Sequence, residues 1–264
     1  MQVRETTVDG RPTRYRVAGG GEPLVLVHGL AGSWRWWLPL VDLLRAQRRV
    51  HVVQLPRFRQ HVAVTDVSGW LGRWADAAGI GRADVAGHSL GGFFAAQLAA
   101  RQPRRVRRLV LVAPAGIPFG RAVRGRVLPL LDSLYQVRRR LPMVAADAVR
   151  TGAVPLAHGI AFASRCDLRD ELRAVDAPTL LAWGDRDRLV PIRLAEEWQR
   201  LLPRGRVVRL RCGHVPMLEV PETLAEAMLA FLGEELADDS RDELRPREVD
   251  GVGLGRDDDE PAAR

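Results

Sequence analysis

Apolar and polar residues alternate along residues 2–8 and again along 11–18, with Asp9-Gly10 between the two runs. A period of two marks strands covered on one face, and Asp-Gly is a hairpin turn. The pattern then changes. Pro23-Leu24-Val25-Leu26-Val27 is apolar without a break, as expected of a strand buried on both faces of a parallel sheet. Trp34, Trp37, Leu38, Val41 and Leu44 follow at helical spacing within residues 33–47, with Ser33 placed to cap that helix. Residues 49–55 predict a strand and 66–78 a helix, with Trp70 and Trp74 one turn apart. Short apolar runs at 83–86, 109–113, 178–183 and 207–210 predict further strands, separated by helical stretches at 93–100 and 192–202. A last helix places Leu224, Ala227, Met228, Phe231 and Leu232 on one stripe. Strands alternating with helices argue for an α/β fold, a mostly parallel sheet covered on both faces.

The alternation lapses between residues 117 and 176, where helical pieces at 127–140, 143–150 and 167–174 occur without a convincing strand. This stretch is expected to be a helical cap over the strand ends, where ligands bind in such sheets. Residues 1–116 and 177–237 would then form the core. Val127, Leu130, Leu131 and Leu134 make an apolar stripe in the cap, suited to covering an acyl pocket.

Composition changes this picture in three places. The chain has 264 residues, 47% of them hydrophobic, enough for one large core. All 40 basic residues are arginine, and the formal net charge is +8. Residues 238–264 carry ten acids and five arginines with few large apolar side chains, so that stretch is expected to be a disordered acidic tail on a basic body. No basic motif is interleaved with aromatic residues, which argues against a nucleic-acid partner. No apolar run reaches the length of a membrane span, and Met1-Gln2-Val3-Arg4-Glu5 has no signal-peptide core. Stable membrane insertion is not expected. Cys166 and Cys212 are far apart in sequence and suit a reducing compartment, so a cytoplasmic location is expected.

The candidate chemistry centres on Gly87-His88-Ser89-Leu90-Gly91, set between an apolar strand and a strong helix former. A serine at such a corner is held in a strained conformation with its hydroxyl exposed at the sheet edge. The amide of Leu90 opens the following helix at the positive end of its dipole, where it can meet a developing negative charge. A second such donor is expected from the loop after the strand at 23–27, and Leu30 in His28-Gly29-Leu30 is well placed.

A serine nucleophile needs a base, and the base needs an orienting acid. Of six histidines, His88 and His28 read as structural, and His51, His61 and His158 have no supporting context. His214 directly follows the last strand and is the expected base. Asp185 and Asp187 both lie beyond the end of the strand at 178–183. The later position reaches across from the loop and is favoured, which makes Asp187 the candidate acid. No metal-ligand spacing or nucleotide-binding glycine pattern is present, and this chemistry requires neither metal nor cofactor.

His28-Gly29-Leu30, Gly87-His88-Ser89-Leu90-Gly91-Gly92, Gly184-x-x-Asp187-Arg188-x-Val190-Pro191 and Gly213-His214-x-Pro216-x-x-Glu219-x-Pro221 occur in this order. The chain thereby resembles the α/β-hydrolase fold superfamily, in particular its small cap-bearing serine esterases, over about residues 1–236. The resemblance agrees with Asp187, which stands four residues before Pro191 as the acid of that family does. It implies a Ser89-His214-Asp187 triad and cofactor-free hydrolysis of a small or medium ester through an acyl-enzyme. Cleavage of C–C bonds, lactones or amides, perhydrolysis, and ligand binding without turnover are the alternatives within the fold. Relatives that open epoxides or remove halide would carry Asp where Ser89 stands. One turn departs from the family pattern: where relatives show Asp-x-Pro-Gly-x-Gly, this chain has Gln54-Leu55-Pro56-Arg57-Phe58-Arg59. Oligomeric state is not encoded in any of these motifs.

Overall fold

The computed structural model describes residues 1–56, 66–118 and 127–234, with the side chains of 127–131 left out. His61, Arg57 to Arg59 of the departing turn and the acidic tail lie outside the described residues, as do the side chains of Val127, Leu130 and Leu131 in the expected apolar stripe. Eight strands form one sheet: β1 Gln2–Val8, β2 Arg11–Ala18, β3 Pro23–Val27, β4 Arg49–Val53, β5 Ala83–His88, β6 Val106–Val112, β7 Thr179–Gly184 and β8 Gly205–Leu210. Their order across the sheet is β1-β2-β4-β3-β5-β6-β7-β8. The β1–β2 and β2–β4 pairs are antiparallel, and every other pair is parallel. The hairpin turn between β1 and β2 places both Asp9 (φ 50°) and Gly10 (φ 74°) in the left-handed region, the geometry that matches the twist of a two-residue hairpin.

The unbroken apolar runs follow from cover on both faces. Val25 and Val27 of β3 point into one cluster with Trp74, Phe94, Trp183 and Trp198, while Leu24 and Leu26 point into the other with Trp37, Leu40 and Met228. The first cluster is covered by α2 Val67–Ala77, α3 Leu90–Arg101 and α8 Arg193–Leu201, the second by α1 Leu38–Leu44 and α10 Pro221–Leu232. The helix expected at 33–47 starts as a tight 3-10 turn over Trp34–Trp37 before α1, and Ser33 caps it by accepting from the Arg35 amide. Strand β6 begins three residues earlier than its apolar run suggested, because Arg107 and Arg108 are carried into the sheet beside the buried Asp84.

Between β6 and β7 the described residues form α4 Val127–Gln136, a 3-10 turn over Arg138–Arg140, α5 Leu141–Thr151, α6 Ala153–Ala163 and α7 Arg169–Leu172. Helix α6 went unread in the sequence. Gly152, Pro155 and Gly159 mark it as broken, yet Pro155 sits in the first turn, where its missing N–H is not needed. Gly159 is where Leu30 packs: a methyl group there would overlap the Leu30 side chain. A short helix, α9 Pro216–Glu219, precedes α10. No helix among the described residues is long and apolar enough to cross a membrane.

Candidate active site

Ser89 stands at the corner between β5 and α3 with φ 52° and ψ −118°. Such a backbone is costly for a residue with a Cβ and persists only when its surroundings hold it. Those surroundings are specific: the Ser89 amide donates to the Val112 carbonyl at 2.9 Å, and the Ser89 carbonyl accepts from Ala115 at 3.0 Å and from Phe93 at 3.2 Å. The corner is tight because its glycines touch backbone. A side chain on Gly87 would overlap the Gly91 carbonyl, and one on Gly91 would overlap the carbonyls of Val27 and His28. The start of α3 is therefore pressed directly against the loop that follows β3.

That loop carries the second candidate donor. Its turn is closed by Gly32 N–H to Gly29 O at 3.1 Å, and Ala31 takes φ 56°. A Cβ on Gly29 would lie 3.2 Å from Ser89 Cβ, so the loop flanks the serine itself. Leu30 follows Gly29, and Leu90 is the first residue of α3. Their amides thus come from two segments in contact beside Ser89.

His28 is buried and organises this region. Its Nδ1–H donates to Gly29 O at 2.9 Å, and its Nε2 accepts from the Leu55 amide at 3.1 Å and from Gln54 Nε2 at 3.0 Å. Burial lowers its pKa, so the neutral ring fits this single-tautomer pattern. The Gln54 amide joins the turn after β4 to the His28 ring.

His214 and Asp187 meet directly. Asp187 is buried beyond the end of β7, and its Oδ2 lies 2.8 Å from His214 Nδ1. Its other oxygen, Oδ1, accepts from the amides of Leu189 and Val190, both at 2.9 Å. The loop is pinned in turn by Trp183 Nε1–H to Val190 O at 2.9 Å. With Nδ1–H committed to Asp187, Nε2 of His214 is left as the basic nitrogen. Asp185 is exposed, and its side chain lies 3.7 Å from the Arg186 guanidinium. Of the two candidate acids, only Asp187 reaches His214.

Ser89 Oγ forms no hydrogen bond with His214 among the described residues, a contact that in such sites often tightens only when substrate is bound. The link between them runs through His88. Its Nε2–H donates to the His214 carbonyl at 2.9 Å, and the two rings lie 5.0 Å apart. Burial, with the nearby His214 second, pushes the His88 pKa down to about 3, so this ring is neutral.

Two contributors carried no legible role in the sequence. Glu219 on α9 accepts from the amides of Gly213 at 2.7 Å and Val215 at 3.0 Å, so one carboxylate grips the chain on both sides of His214. Asp147 on α5 is 2% exposed and accepts from Ser33 Oγ at 2.6 Å and Trp36 Nε1 at 3.1 Å. Arg150 at 2.5 Å and Arg35 at 3.5 Å share its other oxygen. It joins the helical stretch to the loop bearing Leu30. A cavity of about 160 Å³ lies between them, with Gly29, Gln54, Pro56, Arg150 and Pro155 in its walls. Among the described residues, no three His, Cys, Asp or Glu side chains converge as a metal site would require.

Comparison with known proteins agrees with this architecture. A model of the alpha/beta hydrolase family matches residues 24–227. The pimeloyl-[acyl-carrier protein] methyl ester esterase of Nitrosomonas europaea is 32% identical over 235 residues, covering 77% of this chain and 93% of that protein. The dihydrolipoyllysine-residue acetyltransferase component of the acetoin cleaving system of Pseudomonas putida is 30% identical over 262 residues, covering 87% of this chain and 69% of that protein. Among solved structures, a bacterial membrane phospholipase A superposes with a TM-score of 0.75 at 27% identity, over 88% of this chain and 86% of that one. With its eight-stranded sheet, its serine corner and this match across most of its length, the chain belongs to the alpha/beta hydrolase family.

Proposed function

We propose that the protein is a serine hydrolase that cleaves a small or medium carboxylic ester through an acyl-enzyme. Ser89 is the nucleophile, His214 the general base and acid, and Asp187 the group that orients and stabilises the imidazole. The observation that carries this reading is the pairing of His214 Nδ1 with Asp187 Oδ2 at 2.8 Å, at the same end of the sheet as the strained Ser89. His214 Nε2 takes the Ser89 proton as Oγ attacks the ester carbonyl. The oxyanion is met by the Leu30 and Leu90 amides. Collapse of the tetrahedral intermediate expels the alcohol, which leaves with the proton from His214, and water then releases the acid by the same route. Residues 117–176 serve as a cap, with the cavity beside Gly29 taking one side of the substrate. Esterase and hydrolase names among the relatives support this reaction class. Both cysteines are free and buried, in keeping with a reducing, cytoplasmic setting.

A fluorophosphonate probe tests the assignment. The native protein should be labelled at Ser89, and S89A should escape labelling. S89A should also lose p-nitrophenyl ester hydrolysis by a factor on the order of 10⁴ to 10⁶ while keeping its circular dichroism. Hydrolysis near the native rate in S89A would end this reading.

A further inference from the structure

Helices α5 and α6 pack against each other, and both present apolar residues to the outside. On α5, Leu141, Ala145 and Val149 are spaced four apart and exposed, and on α6, Val154, Ala157 and Ala161 form a matching exposed row. The turn at Gly152 joins the two rows, with Val149 81% exposed before it and Val154 62% exposed after it. Ile160 is also exposed on α6, and the exposed Tyr135 ring carries the Arg138 guanidinium 4.7 Å from its centroid. Residues 151–164 contain no charged side chain at all, although 27% of the chain is charged. A helix at the surface of a soluble domain normally turns a polar face outward, and an exposed apolar patch of this kind marks a binding surface.

Between Asp132 and Asp167 the charges along the chain are mostly of one sign. From residue 133 to 165 the chain holds five arginines, Arg138, Arg139, Arg140, Arg150 and Arg165, against one carboxylate, Asp147. That carboxylate is buried, whereas Arg138 to Arg140 are exposed and paired with no acid among the described residues. The outer surface of this stretch is therefore apolar and cationic. A second copy of the chain fits it poorly, because a two-fold contact would set one arginine cluster against the other. An anionic lipid surface fits both halves: aliphatic side chains enter the boundary of the acyl region, arginines reach the headgroups, and the exposed Tyr135 suits the interface between them.

We propose that the face formed by α5 and α6, with Arg138–Arg140, docks the protein reversibly on an anionic lipid surface. The proposal is independent of the chemistry at Ser89.

Vesicle flotation decides it, using phosphatidylcholine with and without phosphatidylglycerol. The native protein should float with the anionic vesicles, far less with the neutral ones, and progressively less as added salt shortens the screening length. R138A/R139A/R140A should weaken partitioning on the order of a hundredfold, at about fivefold per arginine. V149S/V154S should weaken it about tenfold or more without a change of charge. The exposed hairpin arginines supply the control, since R4A/R11A/R14A removes equal charge elsewhere and should leave partitioning nearly unchanged. Circular dichroism checks that each variant is folded. An equal loss in the hairpin variant, or no loss in V149S/V154S, overturns the proposal by showing attraction to the net charge alone. Absence of native binding overturns it too. So does a dimer in light scattering that V149S/V154S dissolves without any vesicle binding, which would assign the face to a second copy.

Discussion

Asp187 divides its two oxygens between holding its own loop and holding His214. Oδ1 takes the amides of Leu189 and Val190, and Oδ2 takes His214 Nδ1. Replacing Asp187 by Asn should keep the first task and fail the second, because the carboxamide NH₂ favours the wrong imidazole tautomer and gives no charge to an imidazolium. D187N is therefore expected to lose about 10⁴ in kcat. D185N, at an exposed carboxylate that does not reach His214, should lose less than about tenfold. Paired kinetics on one ester check the ranking, and the reverse order would move the assignment to Asp185. That Asp187 rather than Asp185 would contact His214 was legible because a loop position and the distance to Pro191 agree. The grip of Glu219 on both neighbours of His214 was not. Glu219 stood in the motif without a role, since its bonds exist only once the segment from Gly213 to Glu219 has folded back on itself. His88 was read as packing, and it also holds the His214 carbonyl.

At the level of elements, the corner from β5 to α3 was plain in the sequence because a buried strand, a glycine-flanked serine and a helix former stand in direct succession. Helix α6 was hidden for the opposite reason: three residues that break isolated helices sit where the fold tolerates or needs them. The tie between α5 and the loop after β3 was also out of reach, since Asp147 and Ser33 are 114 residues apart and nothing in either segment names the other. That tie has a measurable consequence. In D147A, Ser33 Oγ, Trp36 Nε1 and two guanidiniums lose a shared buried acceptor. Removing one partner of such a buried network costs about 3–5 kcal/mol, or roughly 10 °C in Tm for a domain of this size. D147N keeps one oxygen and should recover part of the loss. Thermal unfolding of both variants checks this, and an unchanged Tm in D147A would show that the helical stretch is held by its apolar contacts alone.

For the whole molecule, unbroken apolar runs foretold a doubly covered sheet, and alternating ones foretold the antiparallel hairpin at its edge. Strand order and register were not legible, because they are set by which helix crosses which face. Burial of titratable groups belongs to the same scale. His28, His51 and His88 are each at most 6% exposed. Burial dominates in all three, lowering His28, taking His51 to about 4 and taking His88 to about 3. In the unfolded chain each titrates near 6.5. Above that pH neither state is protonated at these sites, and their neutral burial carries no proton penalty. As pH falls through 6.5 the unfolded chain takes up protons that the folded chain resists, so stability falls, and for His51 and His88 the fall continues toward their folded values near 4 and 3. The slope approaches about 1.4 kcal/mol per pH unit for each of His51 and His88, and His28 adds to it in the same direction. Urea unfolding between pH 7.5 and 5 should therefore show a midpoint that drops steadily on acidification, before most carboxylates begin to titrate. His51 lies outside the candidate site, stacks on Tyr15 at 6.3 Å between ring centroids, and leaves Nδ1 without a partner. H51F should keep the fold and flatten the slope by about 1.4 kcal/mol per pH unit at its steepest. A midpoint independent of pH across this range would show that the buried histidines accept protons in the folded state.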